Sequence, residues 1–307
     1  MKRVFILLFL TAGICFIPVS LQAQYIIEQE TYSVPVNYDL VPEDTEFEGM
    51  EDEALFFLNL DDTKLKEAAE MNGDELAITN AKVYISDKNF AYESNEEQGK
   101  VSMISDIDKG MFYYVLWDQK KVFTLNKEDM QKFQDQTKSA SERMLDKLSP
   151  EMREQMEENK SMTENEPGEK PVVESTGKKA TKYGFNCEQY LIKTEEEIQL
   201  VWATKSTAGL SQKMKSFTKQ IETMFPSESG ESEDEWDLIP GKMPIETRIF
   251  RQGMMSDPEI EVEATTKIVE TMPPAEKFIP PGEKEGFTTG SMADMMKQMM
   301  DMMFGEE

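Results

Sequence analysis

Val101 to Leu125, VSMISDIDKGMFYYVLWDQKKVFTL, is the stretch that decides how this chain folds. Val101 to Ile107, Met111 to Trp117 and Lys121 to Leu125 are dense in β-branched and aromatic residues, and the breaks Asp108-Lys109-Gly110 and Asp118-Gln119-Lys120 are polar and turn-like. The pattern predicts three strands in an antiparallel meander. Side chains alternate across a strand, so the middle run turns Met111, Tyr113, Val115 and Trp117 to one face and Phe112, Tyr114 and Leu116 to the other. Both faces are apolar and both need cover, which calls for a curved sheet with something packed in its hollow.

Upstream, Tyr25 to Val36 alternates as a strand that Pro35 should end or push to a sheet edge. An acidic insertion near 39–73 follows. Its run Ala54 to Leu60 is apolar on every side, and Asp62 to Met71 reads as a short helix stopped by Asn72-Gly73. The sequence gives the insertion no place against the sheet. Ala77 to Ile85 and Asn89 to Ser94 are two further strands leading into the meander.

Downstream, Asn126 suits an N-cap for a helix whose apolar stripe is Met130, Phe133, Thr137, Ala140, Met144 and Leu148. The polar stretch near 159–179, with Pro167, Gly168 and Pro171, reads as a surface linker. Lys182 to Thr194 and Ile198 to Thr204 form a hairpin. A second helix over Ala208 to Phe225 sets Leu210, Met214, Phe217, Ile221 and Met224 on one face. Beyond the acidic loop 227–237, Lys242 to Gln252 and Glu259 to Glu270 make the last strand pair. Large hydrophobic and methionine side chains thus recur where helices face strands.

Composition narrows the function classes. The chain carries 60 acidic against 33 basic residues, a net charge of −27, so nucleic acid is not an expected partner. It has no histidine, which removes Ser-His-Asp and Cys-His catalysis and every imidazole-based metal site. No nucleophile stands beside a base, so the reading is of a non-enzyme that takes no cofactor and no metal. Residues 1–23 have the form of a secretory signal: Lys2 and Arg3, a long apolar run, then Leu21-Gln22-Ala23 with cleavage expected after Ala23. Such a leader predicts export to the periplasm or the medium. Cys187 is then the single cysteine of the mature chain, either buried or paired between molecules.

The order of strands, helix, strands, a strand of alternating charge and the ending Phe278-Ile279-Pro280-Pro281-Gly282 resembles the periplasmic lipoprotein carriers of the LolA/LolB type. It resembles more closely a related secreted family of unknown function, over about Tyr25 to Gly282. Asn89 to Leu125, Tyr183 to Ala203 and Thr271 to Gly282 carry the likeness best. The resemblance implies an α+β fold, an incomplete antiparallel β-barrel wrapped around two or more helices, with a hydrophobic cavity that in the carriers receives acyl chains. The carriers place an arginine before the aromatic residue of an early strand, whereas Asn89-Phe90-Ala91-Tyr92 has Asn89 there. No functional residue is therefore carried over from them.

The expected organisation is a single half-barrel domain over 24–282 and a methionine-rich C-terminal tail at 283–307. The expected function is the binding of an apolar ligand such as a lipid or a lipoprotein acyl chain. The alternative is an envelope interaction or structural protein with a filled core. Phe112, Tyr114, Leu116, Phe133, Met144, Met214 and Phe217 are the candidate ligand-cavity residues. In the tail, Met292, Met295, Met296, Met299 and Met303 share one helical face. That face can fold back on the body, engage an envelope protein or lipid surface, or gather Cu(I).

Overall fold

The structure is a computed structural model that describes residues 24–71, 76–96, 99–106, 108–126, 128–129, 171–194, 197–205, 208–224, 238–251, 258–291 and 294. The signal region, the helix expected after Asn126 with its Phe133 and Met144, the first half of the expected linker, the acidic loop and, apart from Asp294, the methionine run 292–307 all lie outside the described residues.

Among the described residues, twelve strands make one sheet. They are β1 (Tyr25–Pro35), β2 (Thr79–Ile85), β3 (Asn89–Glu96), β4 (Gly99–Asp106), β5 (Met111–Leu116), β6 (Lys121–Asn126), β7 (Val172–Lys182), β8 (Phe185–Lys193), β9 (Glu197–Lys205), β10 (Lys242–Arg251), β11 (Glu259–Glu270) and β12 (Thr288–Ser291). Their order is β12-β6-β5-β4-β3-β2-β1-β11-β10-β9-β8-β7. Two meanders therefore flank β1, and the returning β11 closes onto it. The central strand is thus the first one, so Pro35 does not mark a sheet edge. It stands at the end of β1, where only β11 still pairs with it, and its missing N–H breaks no interior ladder. Every pairing is antiparallel except β12 on β6. The terminal strands β12 and β7 do not meet, so the sheet is unclosed.

Curvature follows from the packing. One apolar cluster includes Phe123 and Leu125 of β6, Phe112 of β5, Phe90 of β3, Val83 of β2, Ile27 of β1 and Met243 of β10. Leu210 and Phe217 join it from α3 (Ala208–Met224), with Met214 against it. A flat sheet would spread β6 and β10 across about 34 Å of strand spacings, so side chains from both can share a cluster around one helix only if the sheet curls. Register shifts at Glu28/Gln29 and at Pro244/Glu246 supply local bends. Pro244 is tolerated in β10 because it sits at such a shift. On the concave side the ring of Phe217 stacks on Phe90 at 3.5 Å between centroids, and Lys213 of α3 reaches Asp87 in the β2–β3 turn at 2.6 Å.

The convex side carries two further clusters. The acidic insertion finds its place here, as α1 (Met50–Leu58) and α2 (Asp62–Met71). Phe57, Leu58 and Leu65 pack on Tyr32, Val34, Leu200, Phe250 and Ile260. The run that was apolar on every side is so because α1 meets the sheet on one flank and Phe47, Tyr38 and its own neighbours on others. The second convex cluster gathers Tyr84, Ala91, Ile104, Val115 and Val122 under Phe287, with Phe278 and Trp117 against it. Trp117 is half-buried rather than core: its Nε1–H donates to Ser102 Oγ at 2.7 Å, and Phe287 meets it edge-on. Trp202 is likewise half-buried, with Lys182 Nζ over its ring at 5.6 Å.

Two strands depart from the sequence reading. From Val172 on, the expected linker is β7, an exposed edge strand that turns into β8 through Tyr183 and Gly184 at φ 49° and 85°. Positive φ at both positions is the two-residue hairpin turn that matches strand twist. The start of the expected tail after Gly282 joins the sheet, since Thr288–Ser291 pair in parallel with β6 as β12.

Candidate functional site

The inner face of the hollow can be read row by row from the register. Beside Ile27 of β1 stand Val83 of β2 and Ile268 of β11. Two residues further along β1, Gln29 stands beside Ala81 and Thr265. The next inward position, Thr31, pairs with Glu263, which pairs with Thr247 of β10. The concave surface thus passes from aliphatic to amide and hydroxyl within three rows.

A cavity of about 310 Å³ lies on this gradient. Among the described residues its apolar end is formed by Ile27, Val83, Phe90, Met214 and Met243, and its polar end by Gln29, Thr31, Thr247, Glu263 and Thr265. Such a volume stands at the small end of the range for ligand pockets, roughly 300 to 1,000 Å³. Met214 comes from α3, where its spacing from Leu210 and Phe217 turns it to the sheet. Met243 comes from β10, one residue before Pro244 at the register shift.

No protein-family model matches the chain, and no curated protein does. The chain is similar to a LolA superfamily protein from Nitrosomonas europaea. That solved structure is 8% identical, the match covers 85% of this chain and 91% of the other, and the TM-score is 0.26.

Five of the seven residues singled out from the sequence are described, and the fold brings all five together. Phe112, Leu116 and Phe217 are buried members of the concave cluster, and Tyr114 and Met214 pack against it half-buried. Met214 alone of these lines the cavity. Phe112, Tyr114, Leu116 and Phe217 fill the neighbouring β3–β6 end instead, where Phe217 lies 6.3 Å from Phe112 between ring centroids. The polar end went unread. The spacing Gln29-x-Thr31 and Glu263-x-Thr265 was visible, but only the direction of curl tells that these positions face inward.

A second, more polar depression of about 430 Å³, lined mostly by charged and amide side chains, runs over β1 to β4. Ion pairs bind two of its glutamates, on β1 and β3: Lys82 and Lys267 reach Glu28 at 3.2 and 3.7 Å, and Lys277 and Lys100 reach Glu93 at 2.8 and 3.7 Å. It reads as a surface ladder of ion pairs. Cys187 is 2% exposed, and burial raises its thiol above the usual range. No helix among the described residues is long and apolar enough to cross a membrane.

Proposed function

We propose that the protein is an exported, non-enzymatic binding protein that holds a lipid or other acyl chain in the concave cavity. The observation that carries this is the graded lining, apolar at Ile27, Val83, Phe90, Met214 and Met243 and polar at Gln29, Thr31, Thr247, Glu263 and Thr265. Such a gradient suits an amphiphile whose chain enters the apolar end while its polar head accepts and donates hydrogen bonds at the other. Thioethers adapt to irregular chains better than branched side chains do, and Met214 and Met243 both line the cavity. A chain without histidine lacks the common general base for catalysis in the same hollow. Export rests on the leader at 1–23 and is checked by N-terminal sequencing of the secreted material, with Gln24 expected first.

The test is a titration of the mature protein with a fluorescent fatty acid, next to the variant Ala81→Leu. Ala81 lines the cavity at the crossing of the apolar and polar rows, so a larger side chain there fills ligand space. Saturable binding at one probe per chain, weakened about tenfold or more by Ala81→Leu with an unchanged circular dichroism spectrum, supports the reading. Absence of saturable binding, or equal binding by the variant, refutes it and leaves a filled-core interaction protein.

A further inference from the structure

The cavity stops at β3, although the apolar surface does not. Its described lining comes from β10, β11, β1, β2, β3 and α3, whereas the concave cluster runs on through Val101 of β4 and Phe112 of β5 to Phe123 of β6. The register shows what ends it. Phe90 of β3 stands opposite Ser105 of β4, and Ser105 stands opposite Phe112 of β5. Directly paired side chains share a face, so this row is two rings with a small hydroxyl residue between them. The serine leaves a notch.

Phe217 of α3 fills that notch. Its ring stacks on Phe90 at 3.5 Å between centroids and lies 6.3 Å from Phe112, and Ser105 between those two rings is 2% exposed. Sheet and helix thus close the apolar end with a wall of two stacked rings. In register the wall stands level with Tyr25, and Gln29 of the polar end comes two inward positions further along β1 than Ile27's neighbour there. The adjoining row, Tyr92, Met103 and Tyr114, offers no enclosed way round, since Met103 is 36% exposed. A chain leaving along it would stay wet and gain little.

We propose that the Phe217 ring, seated on Phe90, sets the length of the chain the cavity accepts, and that the ligand is a straight aliphatic chain of about eight to ten carbons with its polar head toward Gln29 and Thr31. This rests on the binding function proposed above. At roughly 30 Å³ for a group the size of one water molecule, about 310 Å³ holds about ten such groups, head included. Each methylene short of the wall leaves water and tightens binding about fourfold, while those beyond it have no apolar place to go.

The test is calorimetric titration of the mature protein with straight-chain fatty acids of about four to about sixteen carbons. Kd is expected to fall about fourfold per methylene up to about eight to ten carbons and then to level off. Phe217→Ala is expected to carry the fall about three carbons further, and Phe217→Leu about one carbon further, because each opens the wall in proportion to the side-chain volume it removes. Should the alanine variant fail to fold, the leucine variant decides. Ile104→Ala, which opens a void in the convex cluster instead, is expected to leave the breakpoint in place. A fall that continues unbroken to the longest chain in the unaltered protein overturns the length stop while the binding function stands. So does a breakpoint that no folded Phe217 variant moves, or one that Ile104→Ala moves equally. Absence of saturable binding at every length overturns both.

Discussion

Arg248→Ala should loosen the convex helices, and its magnitude can be worked from the contacts. The guanidinium is 4% exposed and sits on β10 facing α1 and α2. Its Nε donates to Glu246 Oε1 at 2.9 Å, its Nη1 to the Leu58 carbonyl at 3.1 Å and to the Leu60 carbonyl, and its Nη2 to Asp62 Oδ1 at 2.5 Å. One planar fork thus satisfies the C-terminal carbonyls of α1 and the first residue of α2 together. Removing it orphans two carbonyls and leaves Glu246, 1% exposed, with Lys182 as its remaining cation at 2.9 Å. Breaking a buried pair costs about 3–5 kcal/mol, and the remaining Lys182 places this case near the lower end, about 3 kcal/mol. For a domain of this size that is a fall in Tm of roughly 6–12 °C. The assay is urea and thermal unfolding, with limited proteolysis of 39–73 as the local readout. Arg248→Lys should recover little, since an ammonium cannot serve four acceptors in a plane. Asp62→Ala, at an exposed end of the network, should cost under about 1 kcal/mol. An Arg248→Ala loss below about 1 kcal/mol, with 39–73 still protease-resistant, would show that apolar packing alone holds the insertion and that this network is incidental.

Three further outcomes follow from the same packing. Phe217→Ala should destabilise by about 3–5 kcal/mol, because it removes the ring stacked on Phe90 and leaves a void under α3; a loss below 1 kcal/mol in urea unfolding would place α3 off the sheet. Glu188 is held down to about 2, first by its hydrogen bond from Lys242 at 2.7 Å, then by Lys179 and the Tyr190 hydroxyl. Its contribution is therefore complete above the ordinary carboxylate value of 4.5 and lost as the pH falls toward 2, so the Tm gap between wild type and Glu188→Gln should close across that window. Burial, then the charge of Asp62, pushes Tyr32 up to about 12, so its stabilising effect persists below 10 and fades as the pH rises through 12; Tyr32→Phe should flatten that alkaline loss in a thermal-shift series.

Local chemistry was legible wherever one strand or helix carried its own signal. The meander at 101–125 appears as β4, β5 and β6 with its turns in place, and α2 begins and ends at Asp62 and Met71 as its pattern indicated. Asn126 Oδ1 accepts from the Asp129 N–H at 2.9 Å, the bond expected of an N-cap. The edge strand β7 escaped notice because its side chains are mostly exposed, so it has no apolar period to read, and because Tyr183-Gly184 is an unusual pair for a turn with positive φ at both positions. The strand β12 escaped because four residues without an apolar side chain, bonded to a neighbour far away in sequence, leave no trace in their own order.

The sequence by itself settled the strands that carry an apolar period, the sheet-facing side of α3 and the absence of imidazole chemistry, because each depends on neighbours within a few residues. Tertiary structure alone decided that β1 is central, since that rests on its pairing with β11 more than two hundred residues later. It also decided where the insertion goes, through an arginine on β10 that collects the ends of two helices it never adjoins in the chain. The polar end of the cavity belongs to the same class. Gln29, Thr31 and Thr265 face inward only because the sheet curls toward α3, and curl is a property of many strands together that no single strand encodes.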